Sequence, residues 1–210
     1  MRNNMILGLA ALTILMACEK SPDMGKMDVS MTVYTNYDPI AKFADFETYF
    51  LPDSILDVGS LRAHYWKDDN AMKLIKMVER QMDSRGYVRI TDPEQKETAD
   101  IGLQLSYVAE TTTVMSAGYP SIWWDWGYWG PYWGGMYYPY PMSYSYSTNT
   151  FVMEILDLGD KSKNALLPVI WRSIASGYEQ SPIYNIPILQ ESIEQAFQQS
   201  DYITRNKQEE

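Results

Sequence analysis

An aromatic stretch in the second half of the chain most constrains how this sequence can fold. Residues 119–147 hold five of the seven tryptophans and eight of the seventeen tyrosines, with four prolines, four glycines and one charged residue, Asp125. Apolar and polar residues alternate in the runs 99–113 and 149–158 on either side, a pattern typical of β-strands. We call residues 119–147 the aromatic segment and predict that it forms the enlarged tip of a β-hairpin.

The aromatic segment carries more apolar surface than a soluble protein normally exposes. Each exposed Trp or Tyr side chain offers roughly 150–250 Å², whereas exposed apolar patches on monomers rarely exceed a few hundred Å². The segment must therefore contact a partner protein or polysaccharide, or pack on the protein itself as a lid over an open face of the sheet. For the first alternative we predict seven contact residues: Trp123, Trp124, Trp126, Trp129, Trp133, Tyr137 and Tyr138.

The N-terminus has the features of an export signal. After Arg2, residues 5–17 are uncharged and end in Leu15-Met16-Ala17-Cys18, which resembles a bacterial lipobox. The chain contains one cysteine, so lipidation of Cys18 would leave no thiol for a disulfide. We predict a signal peptide over 1–17, a lipidated tether over 18–28 and anchoring to the cell envelope, most simply the outer membrane, on its periplasmic face or at the cell surface. An ordinary secretory signal is the alternative.

The charge of the chain limits its partners. A formal net charge of −10 disfavours nucleic acid, because binding to phosphates and stacking with bases both rely on a positive surface. The lipid anchor makes the membrane a partner, and an envelope protein or a glycan is the further partner expected of the aromatic segment. We predict no cofactor and no metal.

Hydrophobic periodicity predicts a single α+β domain over 29–203. Two amphipathic helices are expected at 69–85, begun by Asp68 or Asp69 and ended by Gly86, and at 187–200. Strands are expected at 29–35, 47–51, 87–90, 99–113, 149–158 and 166–176. This predicts a mostly antiparallel or mixed sheet of five or six strands with two helices packed on one face and the other face in water. Residues 204–210 are interpreted as a flexible tail.

Two residues of the last strand have specific expectations. Trp171 alternates in phase with Leu167 and Val169 and is predicted to be buried between sheet and helices. Arg172 points to the other face, where we expect it to pair with Glu154 or Asp157.

No pattern in the sequence supports catalysis. His64 is the single histidine and lies in a loop, so we interpret it as a structural residue. Asp68-Asp69, Glu94, Glu97, Asp100, Asp157 and Asp160 could supply oxygen ligands for calcium, but the stronger explanation is that the first pair caps a helix and the others are solvated loop charges. We predict a non-catalytic protein. A hydrolase of envelope polymers, with its site beneath the aromatic segment, is the alternative.

Four groups of residues, in order along the chain, resemble the DUF4136 family of bacterial lipoproteins. They are Tyr37-Asp38-Pro39 with 45–49, Arg85-Gly86-Tyr87, Ala99-Asp100-Ile101, and 169–177. The resemblance implies an accessory lipoprotein with a small α+β domain. It implies no catalytic residues and no ligand, because none is established for the family.

Overall fold

The computed structural model describes residues 31–58, 64–108, 124, 126–130, 133–141, 149–159, 166–177 and 185–205. Within these ranges the strands are β1 (Thr32–Tyr37), β2 (Thr48–Phe50), β3 (Ile55–Val58), β4 (His64–Trp66), β5 (Val88–Ile90), β6 (Ile101–Val108), β7 (Gly135–Tyr137), β8 (Thr150–Asp157) and β9 (Leu166–Ser176). The helices are α1 (Asp69–Ser84), the four-residue α2 (Trp126–Trp129) and α3 (Ile186–Gln198). Two 3₁₀ turns span Phe43–Asp45 and Pro93–Thr98.

The strands form one mixed sheet, which confirms the α+β class. Its main order is β1-β9-β8-β6-β2-β5, with β3 also beside β6, β4 beside β3 and β7 beside β9. β6 and β8 pair antiparallel from Ile101↔Asp157 to Val108↔Thr150. This pairing confirms the hairpin predicted around the aromatic segment. β2 runs parallel to both β5 and β6.

The two long helices pack on one face of the sheet, as predicted. Each buries the apolar stripe expected from its sequence: Ala71, Leu74, Ile75, Val78 and Met82 in α1, and Leu189, Ile193, Ala196 and Phe197 in α3. The apolar side chains of the sheet that face them include Ile101, Leu103, Leu105, Phe151, Met153, Ile155 and Trp171. This cluster is the main core of the domain.

Both ends of α1 follow from local chemistry. The Asp68 carboxylate accepts hydrogen bonds from the N–H groups of Ala71 and Asn70, each at 2.9 Å, and these bonds lower the pKa of Asp68. At the other end Gly86 has a φ of 91°, a conformation that glycine adopts without a steric penalty. The predicted start and stop of this helix are confirmed.

The sheet contains more strands than the five or six expected. β3 and β4 lie where no strand was expected, β4 at the position of His64 that was interpreted as a loop, and β7 lies inside the aromatic segment. Each has three or four residues, too few for an alternating pattern to be recognised.

The prediction of a sheet face in water is wrong. All eight residues of β6 and seven of the eight in β8 are buried. A second hydrophobic cluster lies on the face opposite the helices and includes Val108, Val152, Leu156, Val169 and Ile174. An apolar surface of this size requires a cover, and residues of the aromatic segment provide it.

A bulge in β9 changes which side chains share a face. Ile155 pairs with Trp171, but the next residue, Leu156, pairs with Val169, so Ile170 is an extra residue. Trp171 is fully buried on the helix side, where its indole N–H donates to Ser200 Oγ at 2.9 Å. Its predicted burial is therefore confirmed. Its predicted phase is wrong, because Val169 belongs to the opposite face.

The C-terminal residues are held more firmly than predicted. The Arg205 N–H donates to the carbonyl of Arg85 at 3.0 Å, and the Arg205 guanidinium forms an ion pair with Glu47. Residues 204 and 205 therefore pack against the domain. The predicted signal peptide, the tether and residues 206–210 lie outside the described residues.

Candidate functional site

The described part of the aromatic segment covers the sheet face opposite α1 and α3. The Trp129 ring stacks on Trp124 with 5.7 Å between centroids and meets Trp133 edge-on at 5.9 Å. β7 pairs parallel with the first residues of β9, which fixes this segment to the sheet. Its members in the second hydrophobic cluster are Trp129, Trp133, Met136, Tyr138 and Tyr140, and we call these five residues the lid.

Gly102 of β6 makes room for the lid. A Cβ at this position would lie 2.6 Å from Cη2 of Trp129, closer than carbon atoms approach without displacement. Two residues further along β6, the Oε1 atom of Gln104 accepts a hydrogen bond of 2.7 Å from the Trp129 indole N–H. β6 thus positions Trp129 both by shape and by a hydrogen bond.

Beneath the lid, polar side chains lie in register across three strands. Gln104 of β6 pairs with Glu154 of β8, which pairs with Arg172 of β9. Gln104 Nε2 donates to Glu154 Oε2 at 3.4 Å, and Arg172 Nε lies 3.6 Å from Glu154 Oε1. From the lid, the Tyr138 hydroxyl donates to Glu154 Oε1, and its ring centroid lies 5.1 Å from the Arg172 guanidinium. The predicted pairing of Arg172 with Glu154 is confirmed, and we call these four residues the polar row.

Burial changes the proton affinities of the polar row. The Glu154 side chain is 0% exposed; its burial raises the pKa to about 7, and hydrogen bonds from Tyr138 and Gln104 oppose the rise. Burial, reinforced by the Glu154 charge, raises the pKa of the Tyr138 hydroxyl well above its usual value. A carboxyl group with this affinity could act as a general acid. The lid, however, separates Glu154 from solvent.

The structure separates the seven predicted contact residues into three groups. Trp129, Trp133, Tyr137 and Tyr138 are buried, so they cannot form an exposed contact surface and instead correspond to the self-packed alternative. Trp124 is half-buried against Trp129. Trp123 and the side chain of Trp126 lie outside the described residues.

An open groove of about 230 Å³ lies beside α2, at the β2–β5 end of the sheet. Its walls come from four separate parts of the chain: Phe50, Leu51, Pro52, Asp53, Ser54, Tyr65, Lys67, Thr91, Pro93 and Gly127. The Lys67 ammonium lies 5.2 Å from the centre of the Tyr65 ring, and Asp53 pairs with Arg89 at 2.8 Å. We call this feature the distal groove. It combines aromatic and proline surfaces with hydrogen-bond donors and acceptors.

A second recess, of about 460 Å³, lies at the β1 side of the sheet. Its polar wall consists of Asp38, Lys42, Asp45 and Asp157. Asp38 Oδ1 accepts a hydrogen bond of 3.1 Å from the Ile40 N–H, so this carboxylate shapes its own loop.

Two of the other acidic candidates, Asp100 and Asp157, have structural contacts. Asp100 Oδ2 accepts hydrogen bonds from the N–H groups of Glu47 and Thr48 at 2.8 and 2.9 Å, and Asp157 Oδ1 accepts one from Gly159. In the described ranges no three His, Cys, Asp or Glu side chains are grouped to hold a metal ion. His64 lies in β4, but its side chain, like Asp160, is outside the described residues.

The predicted anchor cannot be located in the structure, because Cys18 lies outside the described residues. Among the helices of the described ranges, none is long and apolar enough to cross a membrane.

Sequence reasoning predicted the aromatic segment and the Arg172–Glu154 pair but missed the other two members of the polar row, Gln104 and Tyr138, and the distal groove. Gln104, Glu154 and Arg172 lie on three long strands, at positions that face away from α1 and α3. The available signal for the polar row was the aromatic segment, which needed a surface on which to pack. The groove had no comparable signal, since its walls are far apart in the sequence.

Comparisons with known proteins place the chain among bacterial relatives. Residues 33–200 match a family model described as Domain of unknown function (DUF4136). The crystal structure of a DUF4136 family protein from Bacteroides thetaiotaomicron is similar at 38% identity and a TM-score of 0.67, covering 84% of this chain and 99% of that chain. A PelC dodecamer from Paraburkholderia phytofirmans is more distant, at 14% identity and a TM-score of 0.39, covering 83% of this chain and 99% of that chain. No curated protein matches the sequence.

Proposed function

The chain belongs to the DUF4136 family, and from this membership, the N-terminal sequence and the distal groove we propose that it is a non-catalytic, lipid-anchored envelope protein that binds a polysaccharide. Cys18 carries the anchor in this proposal. The observation on which binding rests is the composition of the distal groove.

The walls of the distal groove fit a sugar ring. Tyr65, which is half-buried, and Pro93, which is exposed, offer apolar surfaces to the groove, which suit the C–H face of a pyranose. Thr91 and Lys67 can donate hydrogen bonds to hydroxyl groups around such a ring, in the way that a few polar groups orient a ligand in an apolar site. Hydroxyl-rich ligands need both kinds of surface.

Size and charge narrow the ligand further. The groove, at about 230 Å³, is smaller than the ~300–1,000 Å³ of pockets that enclose a whole small molecule. It therefore suits one unit of a longer chain. Lys67 and Asp53 carry opposite charges, and Asp53 is also paired with Arg89, so the groove favours an uncharged polymer. The net charge of −10 disfavours an anionic polymer.

The position of Glu154 supports the non-catalytic part of the proposal. Its proton affinity would suit acid–base chemistry, but its carboxylate is sealed by the lid and contacts Tyr138, Gln104 and Arg172. A hydrolase at this place would require the lid to open.

Calorimetric titration of the lipidated protein in detergent micelles with neutral, cationic and anionic polysaccharides tests the proposal. We expect a neutral polymer to bind, and Tyr65→Ala to weaken its binding at least tenfold, or about 1.4 kcal/mol. Lys67→Ala should also weaken binding. Lys42→Ala, an exposed lysine beside the other recess, is the matched control and should bind as the wild type does.

Three results would contradict the proposal. The first is a panel in which no neutral polysaccharide binds, and the second is equal affinity in the Tyr65 and Lys42 variants. The third is release of reducing ends that Glu154→Gln abolishes, which would establish the hydrolase alternative.

A further inference from the structure

Exposed apolar side chains are concentrated in one short part of the described chain. The large hydrophobic side chains that are most exposed there are Ile40 at 81%, Val88 at 56%, Tyr34 at 52% and Tyr37 at 40%. Three of these four lie within seven residues, in β1 and the turn that follows it. We call Tyr34, Tyr37 and Ile40 the β1 patch. Val88 lies in β5, at the opposite end of the strand order.

The β1 patch surrounds an edge of the sheet. Among the described strands, β1 is the last of its side in the main order, and side chains three positions apart on a strand point to opposite faces. Tyr34 and Tyr37 therefore lie on either side of this edge, and Ile40 lies beyond its end. A flat surface that approached the edge could contact all three side chains.

The patch is held in place by the core behind it. The Tyr37 ring packs against Tyr202, with 4.1 Å between centroids. The Asp38 N–H donates to the carbonyl of Ile170 at 2.9 Å, and Asp38 in turn binds the Ile40 N–H. The exposed side chains are thus presented by an ordered backbone.

The position of the patch in the chain indicates what it contacts. The first described residue, Met31, comes 13 positions after Cys18, and these positions span at most about 45 Å when extended. An anchor at Cys18 would keep β1 close to the membrane at a high effective concentration. Under that condition a small apolar patch is sufficient, since docking is then an intramolecular step.

We propose that the β1 patch docks edge-on against the lipid bilayer, with Tyr34, Tyr37 and Ile40 in the headgroup region. Tyrosine suits this region because it combines an apolar ring with a polar hydroxyl. The negative net charge of the chain favours zwitterionic over anionic lipid. The inference rests on the anchor of the proposed function and is independent of the distal groove.

Site-specific fluorescence tests the docking. Lipidated protein carrying Ile40→Cys or, as the matched control, Val88→Cys is labelled with an environment-sensitive fluorophore and reconstituted into phosphatidylcholine vesicles. Cys18 does not compete for the label when its thiol carries lipid. We expect brominated lipid to quench the fluorophore at position 40 several-fold more strongly than the one at position 88, and added anionic lipid to reduce that difference.

The failure of the docking and the failure of the anchor give different results. If the protein is lipidated but the fluorophores at positions 40 and 88 are quenched equally, the docking is overturned and the anchor is not. The same holds if the fluorophore at position 40 is not quenched. Protein found without lipid at Cys18 and absent from the vesicles would overturn both.

Discussion

At the scale of single residues, the lid depends on the absence of a side chain at Gly102. We expect Gly102→Ala to lower the free energy of unfolding by roughly 1–3 kcal/mol, because its Cβ would meet the Trp129 ring at 2.6 Å. Denaturant unfolding, together with the near-ultraviolet circular dichroism of the tryptophans, measures this. Gly177→Ala is the control, since its Cβ would meet no atom closer than 3.4 Å. Equal stability of the two variants would contradict the close packing of Trp129.

Glu154 makes the stability of the protein depend on pH. Burial raises its pKa from 4.5 to about 7, so between these values the folded protein keeps a proton that the unfolded chain has lost. We therefore expect the free energy of unfolding to fall as pH rises through this window, by up to roughly 3 kcal/mol, and to level off above it. Denaturant melts at several pH values from 4 to 9 measure the change.

Glu154→Gln is the matched variant, because it keeps the shape of the side chain and cannot titrate. Its profile should lack the fall that the wild type shows between pH 4.5 and 7. A wild type that instead gains stability relative to Glu154→Gln over this window would show that attraction by Arg172 outweighs burial.

At the scale of elements, long segments were predictable and short or irregular ones were not. The bounds of α1, α3 and β8 and the start of β6 lie close to those expected, because each element repeats its apolar period over two or more turns or four pleats. The expected end of β6, at residue 113, lies outside the described residues. The three-residue strands β4 and β7 have no room for a period. The extra residue Ile170 reverses the phase of β9, and nothing in its identity announces a bulge.

The candidate site was predictable in composition but not in orientation. The density of rings in the aromatic segment indicated either a contact surface or a lid. The choice between them depends on residues that are distant in sequence. Gly102 leaves room beneath Trp129, and Glu154 lies beneath Tyr138. Register across strands is a tertiary property, which local patterns do not contain.

The lid itself can be tested by removing it. Replacing residues 119–147 with an Asn-Gly turn leaves β6 and β8 able to pair through a short connection but exposes Val108, Val152, Leu156 and Val169. We expect the variant to lose several kcal/mol of stability and to bind a hydrophobic dye, as measured by thermal melts and dye fluorescence. An unchanged melting temperature would show that the segment is an appendage.

At the scale of the whole molecule, the two proposed contacts lie at opposite ends of the sheet. The β1 patch belongs to the first strand of the main order, and the distal groove is built around β2 and β5 at the other end. With the β1 patch on the bilayer, the groove lies at the end of the strand order that is farther from the membrane. The anchor and the ligand then do not compete for the same surface.

The anchor has a direct test in cells. We expect wild type in the membrane fraction and Cys18→Ser in the soluble fraction with an unchanged circular dichroism spectrum, because the described domain begins only at residue 31. Metabolic labelling with palmitate should mark the wild type alone. Label on the variant, or a wild type that is wholly soluble, would exclude Cys18 as the lipidation site.

The pairing of β1 with β9 has a consequence for the order in which the chain assembles. Their partners Thr32 and Ser176 are separated by 144 positions, so a chain synthesised from its N-terminus completes most of the sheet before β1 has a neighbour. Contacts between such distant residues slow folding, and strand edges left open in the meantime favour aggregation. Only one of the six residues of β1 is buried, so β1 tolerates exposure to water before it pairs. Nine of the eleven residues of β9 are buried, so β9 does not tolerate such exposure. We therefore expect chaperones to retain nascent chains that end after β9 and lack β1.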